Sequence, residues 1–314
     1  MNLIDKVAVC SRSFSQNEIL RKSLLSKYKN VTFNDLGIKM SESELIKFIS
    51  GHTKAIIALE SINTNILQNL PDLRVIGKYG VGLDMIDMNA MIKHNVRLGW
   101  RPGVNKLSVA ELTLSLALTL IRKIPESIDL VKNKQWYQII GNQLSYKKFG
   151  IIGCGNIGKE LVKLLKPFSC DILVFDILDQ DEYYKENNIA KVGLDDLLNN
   201  SDIISIHLPL NNSTKNILSS EKLLMMKSNV LLINVARGGL VDEIALKQLL
   251  LNNKIGAAAF DVFEQEPPFD NELLQLKNFF PTPHIGGSTE ESILAMGMAA
   301  IEGLDINELP YKFI

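Results

Sequence analysis

The chain has 314 residues, 46% hydrophobic and 22% charged, the profile of a globular protein with substantial cores and room for about two domains. Collagen-like, disordered and small disulfide-stapled classes are excluded. Lys plus Arg total 34 and Asp plus Glu 35, a formal net charge of -1 with no block of like sign, so neither a nucleic-acid nor an anionic-membrane partner is expected.

In chain order, the first third reads strand 7–9 (VAV), helix 16–27, strand 31–33 and helix 42–49. Strand 55–58 (AIIA), helix 63–70, strand 74–78 (RVIGK), helix 88–94 and strand 96–98 follow. Strands joined by helical crossovers imply right-handed βαβ units and a parallel sheet. A long helix is expected over 106–124, opened by the turn Arg101-Pro102-Gly103 with Asn105 as N-cap, and broken by Pro125. It carries Glu111 and Arg122-Lys123, so it reads as a buried helix rather than a membrane span. Residues 133–148, with Trp136 and Tyr137, read as an irregular connection or oligomer arm. A second alternating series starts at Phe149, with apolar strands at 171–176, 202–208, 229–235 and 255–263, then FFPTPHIG and a last helix over 289–303. Continuous apolar runs suit interior parallel strands covered on both faces.

The opening MNLIDKVAVCSRSF lacks a long apolar run and a small-residue cleavage site, so a signal peptide is not expected. Cys10, Cys154 and Cys170 are too scattered for a disulfide framework and fit a reducing cytoplasm. No two of His52, His94, His207 and His284 have a metal-ligand spacing, so no metal is expected.

Phe149 to Gly158 reads F-G-I-I-G-C-G-N-I-G, placing Gly153, Gly155 and Gly158 between a strand and a helix. Gly153 permits the tight turn, Gly155 lets backbone N–H groups approach a pyrophosphate, and Gly158 lets the helix pack close to the sheet. The following helix, over 156–166, aims its positive end at the phosphates. The next strand ends at Asp176, where a carboxylate can accept both ribose hydroxyls. Ile177, Leu178, Asp179 and Gln180 offer no cation for a 2′-phosphate, so NAD is expected over NADP.

Three pieces lie downstream. Arg237, in NVARGGLVD, sits just past an apolar strand, and its planar fork matches a carboxylate and can polarise a carbonyl. Glu266 lies in the proline-flanked loop FDVFEQEPP, where Glu264 is equally placed. His284, in PHIGGST, precedes a helix and suits proton transfer near neutral pH, with a carboxylate to orient and stabilise it. Singly, each has an ordinary reading as an ion pair, a solvated acid or a cap residue.

Taken together, GIIGCGNIG, Asp176, NVARGGLVDE, FDVFEQEPP and HIGGST resemble the D-isomer-specific 2-hydroxyacid dehydrogenase family, in its phosphoglycerate dehydrogenase-like branch. KYGVGLDMIDMNA (78–90) and RPGVNKLSVAEL (101–112) match in the same order. The resemblance implies an α/β protein of two Rossmann-like domains with parallel sheets and the active site in the interdomain cleft. It implies a discontinuous substrate domain, 1–99 plus 285–314, around an NAD-binding domain, 100–284, and a homodimer acting on a small 2-hydroxy or 2-keto acid. Arg237 would anchor substrate, His284 would be the acid/base and Glu266 its partner. Asn156, Ile157 and Asp176 would hold pyrophosphate and ribose. Val235, Ala236, Arg237, Asp261, His284, Gly286 and Gly287 would surround the nicotinamide, with His207, Pro209 and Thr214 lining the cofactor cleft. Lys78, Tyr79, Val81, Gly82 and Trp100 would lie at the substrate, the backbone of Val81 and Gly82 holding its carboxylate.

Two departures bear on the substrate. Leu98-Gly-Trp-Arg-Pro-Gly103 replaces the family's usual Asn before its turn, and Trp100 is bulky. Leu59-Glu60-Ser61 stands where some phosphoglycerate dehydrogenases place an Arg for phosphate, and an acid there repels phosphate. Lys78 and Arg101 remain as local cations. The expected activity is hydride transfer between NAD and a short D-2-hydroxy acid. The alternatives are 3-phosphoglycerate dehydrogenase proper and, from another class, an NAD(H)-sensing binding protein on the same fold. Such a sensor need not keep Arg237, Glu266 and His284 together.

Overall fold

The computed structural model describes residues 2–313. The chain packs as two compact units, Met1–Asn105 with Thr289–Ile314, and Lys106–Ser288.

In the first unit, β1 (Asn2–Val9), β2 (Tyr28–Phe33), β3 (Lys54–Ile57), β4 (Val75–Lys78) and β5 (Arg97–Gly99) form one sheet in the order β2-β1-β3-β4-β5. Every pairing is parallel. Val7, Ala8, Val9, Ile56, Ile57 and Ile76 are fully buried, as strands covered on both faces require. The helix expected over 16–27 is two helices, Arg12–Gln16 and Glu18–Lys27. Asn17 divides them because its side chain accepts from Ile19 N and Leu20 N and so starts a new helix. The last helix, Glu290–Gly303, returns to this unit through glycine. A Cβ on Gly77 would lie 2.5 Å from Ala300 O, and one on Gly99 2.1 Å from Gly303 O. Only bare backbone permits that approach, which ties the end of the chain to its beginning.

In the second unit, β6 (Lys148–Ile152), β7 (Asp171–Phe175), β8 (Ala190–Lys191), β9 (Ile203–Ile206), β10 (Leu231–Asn234), β11 (Ala257–Phe260) and β12 (Phe279–Pro281) form a parallel sheet. Its order, β12-β11-β10-β9-β6-β7-β8, reverses direction between β6 and β9. That reversal is the switch point beyond whose strand ends ligands of open α/β sheets bind. Helix Lys106–Ile121 buries Val109, Leu116 and Leu120 in one core with Phe149 and with Leu161 and Val162 of helix Asn156–Leu165. Truncating a fully buried ring such as Phe149 to Ala would cost about 3–5 kcal/mol. Pro125 does more than end the long helix. Lys123 turns left-handed at φ 51°, and Pro125 sits in the first turn of a further helix, Ile124–Lys132. A proline suits that position because its missing N–H has no helical partner there. Residues 135–143 carry no helix or strand. Among the described residues, no helix is long and apolar enough to cross a membrane.

Candidate active site

The turn after β6 is built to leave donors unused. Gly153 has φ 94°, and a Cβ there would meet His207 O at 2.8 Å. Gly158 packs so that a Cβ would lie 2.5 Å from Gly153 O, closing the helix onto the turn. At Gly155 a Cβ would meet nothing within 4 Å, so the space over this turn is open. Gly155 is also the N-cap of helix Asn156–Leu165 and supplies no side-chain cap. The first N–H groups of the helix, at Asn156 and Ile157, therefore point into that opening with the positive end of the helix dipole behind them. Asp176 closes the site's edge. Its Oδ2 accepts from Cys154 N at 2.6 Å and its Oδ1 from Leu178 N at 2.8 Å. A carboxylate has about four acceptor positions, so both oxygens can still take a ribose hydroxyl. An open cradle of unused N–H groups beside a fixed carboxylate fits a dinucleotide.

Beside this turn, at the end of β9, Ser205 Oγ lies 2.9 Å from His207 Nε2. Burial pushes the His207 pKa down to about 3, so the ring is neutral at physiological pH. Pro209 and Thr214 belong to a loop that knits itself together, Thr214 Oγ1 donating to Pro209 O at 2.7 Å.

The ends of β10, β11 and β12 carry the second cluster. Val235 and Ala236 are buried, and Asn234 shapes the turn that follows. Its Oδ1 accepts from Ala236 N at 3.1 Å and its Nδ2 donates to Arg237 O at 2.8 Å. Arg237 Nη1 donates to Ala236 O at 2.6 Å. Gly238 lies so close to the next loop that a Cβ would fall 2.0 Å from Phe263 C, which brings the Arg237 turn against the loop carrying Glu266. Asp261, buried at the end of β11, accepts from Thr282 Oγ1 at 2.6 Å, Ile285 N at 2.8 Å and Gly286 N at 2.8 Å. Ser108 Oγ donates to Gly286 O at 2.6 Å from the start of the long helix. These bonds hold the loop in which His284 adopts φ 54°, a left-handed conformation uncommon for a side chain with a Cβ.

Held this way, His284 Nδ1 lies 2.8 Å from Glu266 Oε2, while Glu266 Oε1 accepts from Phe263 N at 3.1 Å. Glu264 is not the partner. Its N–H bonds Glu243 Oε1 at 2.9 Å instead. The hydrogen bond to Glu266 raises the His284 pKa above its ordinary 6.5, against burial and the nearby Arg237 charge, which lower it. Burial pushes Glu266 up, but the hydrogen bond and charge of His284 outweigh it and hold the carboxyl below its usual 4.5. Arg237 is close enough to act on both groups. Arg237, Glu266 and His284 thus form one charged cluster at the strand ends of the second unit.

The other expected site residues lie in the first unit, around the turn after β4. Lys78 is buried, and its ammonium donates to Ala58 O at 2.6 Å and Tyr79 O at 3.2 Å. The Tyr79 ring lies inward, edge-on to Phe14. Trp100 Nε1 donates to Val81 O at 3.1 Å, and its ring packs edge-on against Phe313. Among the described residues of this unit, no acceptor takes the N–H groups of Val81 or Gly82. Lys78 and Trp100 therefore shape the turn through the carbonyls of Tyr79 and Val81 and leave the N–H groups of Val81 and Gly82 open to an acceptor.

Asn234, Ser108, Thr282 and Ser205 were not singled out in the sequence. Two of them leave a signal: Asn234 is the lone polar end of an apolar strand, and Ser205 sits two residues before His207, on the same strand face. Ser108 and Thr282 leave none, because their partners are 178 and 21 residues away.

A doubly wound sheet with an open glycine turn at its switch point defines a dinucleotide-binding Rossmann domain. Residues 114–286 match the family described as D-isomer specific 2-hydroxyacid dehydrogenase, NAD binding domain, and the chain belongs to that family. It is 36% identical over 269 residues to the D-3-phosphoglycerate dehydrogenase of Archaeoglobus fulgidus, covering 84% of this chain and 51% of that protein. It is 35% identical to the hydroxypyruvate reductase of Thermotoga maritima, covering 84% of this chain and 87% of that one. The crystal structure of D-lactate dehydrogenase from Aquifex aeolicus, complexed with NAD and lactic acid, superposes with a TM-score of 0.83 at 26% identity. That match covers 97% of this chain and 94% of the other. The chain spans about half the length of the phosphoglycerate dehydrogenases it matches.

Proposed function

We propose that the protein is an NAD-dependent dehydrogenase that moves a hydride between the nicotinamide and a small D-2-hydroxy acid or its 2-keto acid. The observation that carries this is the His284–Glu266 pair at 2.8 Å, with Arg237 beside it, on the unit that holds the open glycine turn. Bound NAD(H) supplies or accepts the hydride at its nicotinamide ring. Arg237 offers its guanidinium to the substrate carboxylate and carbonyl oxygen. With Nδ1 committed to Glu266, Nε2 of His284 is the nitrogen left to give a proton to the carbonyl oxygen on reduction, or to take it from the hydroxyl on oxidation. Glu266 keeps the ring oriented and stabilises its protonated form. Asp261 belongs to this machinery by holding the 282–286 loop around the nicotinamide end.

Asp176 favours NAD. A 2′-phosphate would meet a fixed carboxylate with no cation among residues 177–180, so NADH should bind at least about tenfold tighter than NADPH, about 1.4 kcal/mol. Titration of both cofactors by fluorescence tests this, and equal affinities refute it.

The preferred substrate is a short acid without phosphate. Relatives carry both kinds of name, from D-3-phosphoglycerate dehydrogenase to hydroxypyruvate and glyoxylate reductase. In this chain the Glu60 carboxylate sits at the end of β3, accepting from Ala58 N at 2.6 Å. Both neighbouring cations have partners within the first unit: Lys78 on two carbonyls, and Arg101 on Glu302 at 2.8 Å. The test compares kcat/KM for hydroxypyruvate and 3-phosphohydroxypyruvate, in wild type and in Glu60→Arg. A strong wild-type preference for the phosphorylated acid overturns the reading and restores 3-phosphoglycerate dehydrogenase.

The protein is further proposed to work in a reducing cytoplasm, where Cys10, Cys154 and Cys170 remain free thiols. It is proposed to do so as a two-fold homodimer. Helix Ile124–Lys132 has no buried residue and exposes Ile124, Ile128 and Val131, and Trp136, Tyr137 and Ile140 beyond it are exposed too. Such an apolar surface suits an obligate interface of well over about 2,000 Å². Light scattering should give the dimer mass, and Val131→Glu should shift it toward monomer. A concentration-independent monomer mass in wild type refutes the dimer.

A further inference from the structure

The Ser205–His207 pair has more order than packing alone demands. Ser205 lies on β9, beside the switch point of the sheet, and is fully buried. Among the described residues its Oγ has one hydrogen-bond partner, His207 Nε2 at 2.9 Å. The other ring nitrogen, Nδ1, is buried and has no partner among the described residues. His207 N is bound to Ile152 O at 2.8 Å, and a Cβ on Gly153 would lie 2.8 Å from the His207 carbonyl oxygen, so the backbone of His207 is anchored against the glycine turn.

Hydrogen-bond bookkeeping decides how the neutral ring carries its proton. A serine hydroxyl has one hydrogen to give. If His207 Nε2 held the ring proton and donated to Ser205, the serine hydrogen would be left buried without an acceptor. Leaving such a group unmade is the expensive outcome. If Ser205 donates to Nε2 instead, its hydrogen is satisfied, the ring proton resides on Nδ1, and the Nδ1 N–H is the single group left unpaired, against two (the serine hydrogen and the Nδ1 lone pair) in the other tautomer. Nδ1 then presents an N–H, and the bound cofactor is rich in oxygen acceptors and carries a negative pyrophosphate.

We propose that Ser205 locks His207 as its Nδ1–H tautomer, and that this N–H donates to an oxygen of the bound dinucleotide. Ser205 is a positioning residue and His207 a cofactor-binding one. The proposal rests on the reading that the second unit binds NAD(H). The neutral ring adds to it: with its pKa pushed down by burial, His207 gives the same hydrogen bond across the working pH range and does not compete with His284 for the proton of the reaction.

The test uses the full chain with ¹⁵N-labelled histidine, the His207 signals being assigned by their loss in His207→Gln. In wild type without cofactor, Nδ1 should show a protonated and Nε2 an unprotonated nitrogen shift, and NADH should move the Nδ1 signal. Ser205→Ala should turn this signature into a mixture of tautomers and weaken NADH binding by about fivefold to tenfold, the size of one ordinary hydrogen bond. A serine that only filled space would lower Tm and leave the nitrogen shifts alone. An Nε2–H signature in wild type, or unchanged shifts and NADH affinity in Ser205→Ala, overturns the lock while leaving the dehydrogenase reading in place. A wild-type chain that binds no NADH overturns both.

Discussion

The turns after β1 and after β6 occupy the same place in two sheets of similar winding, yet they are built oppositely. After β1 the chain runs through Cys10 to Ser11, whose Oγ accepts from Phe14 N at 3.3 Å and caps helix Arg12–Gln16 from within. After β6 it runs through Gly153 to Gly155, and helix Asn156–Leu165 begins with no side-chain cap. The first turn satisfies its own donors and is closed. The second leaves them for something else. A strand–turn–helix at a switch point is therefore only a location, and what suits it to a phosphate is the absence of a side chain that would answer the helix's own N–H groups.

The largest expected effect comes from making the second turn resemble the first. Gly155→Asp places a cap and a negative charge on helix Asn156–Leu165 in space that is open, at a φ of -77° that any residue adopts. Tm should stay level or rise slightly. NADH affinity should fall at least about a hundredfold, because a fixed carboxylate would face the pyrophosphate at short range. Undiminished NADH binding in a folded variant would break the comparison.

His284→Asn comes next and separates binding from chemistry within the same unit. kcat should fall about a hundredfold or more, the size of a lost general acid, with NADH affinity kept. A variant with near-normal kcat would remove His284 from the reaction.

Glu266→Gln has a smaller effect, read in its pH dependence. Ketone reduction needs the protonated ring. Glu266 raises the His284 pKa above 6.5, so activity should decline as pH rises through that raised value. Without the carboxylate the decline should move to lower pH, and an unmoved profile would count against the pairing. Stability follows the same linkage. The raised His284 pKa contributes stability that is lost as pH rises through it. The lowered Glu266 pKa contributes stability that is lost as pH falls through it. The pair therefore stabilises the fold only between those two limits.

The smallest effect is on the closed turn. Ser11→Ala should cost about 1 kcal/mol of stability, the usual value of an N-cap, and leave NADH affinity unchanged. A large loss of NADH binding would show that the turn after β1 is not the self-contained element its geometry describes.

Much of this was legible in the residues. Helix 42–49 has the bounds its sequence pattern gives, and the structure adds the local reason for its start, a capping box between Ser41 and Glu44. Asn17 was not read as a boundary, since it falls inside an apolar pattern that continues on both sides. Pro125 was read as a stop and is also a start, since one proline serves either end and only the left-handed Lys123 before it shows which helix it opens.

Local chemistry determined the most about this protein. The glycines, Asp176, Arg237, Glu266 and His284 stand out because each needs a residue type that few others can replace. The strands stand out because burial on both faces demands continuous apolar runs. Tertiary structure decided the pairings. Glu266 and Glu264 are two residues apart and chemically identical, and only the way Gly238 presses on Phe263, and Asp261 on the 282–286 loop, gives Glu266 to His284. The sequence leaves open where the donors of Lys78 and Trp100 go, and packing turns them onto the carbonyls of Ala58, Tyr79 and Val81. A sequence states which groups exist, but hydrogen bonds are directional and short, so which donor meets which acceptor is settled only when distant segments fold together.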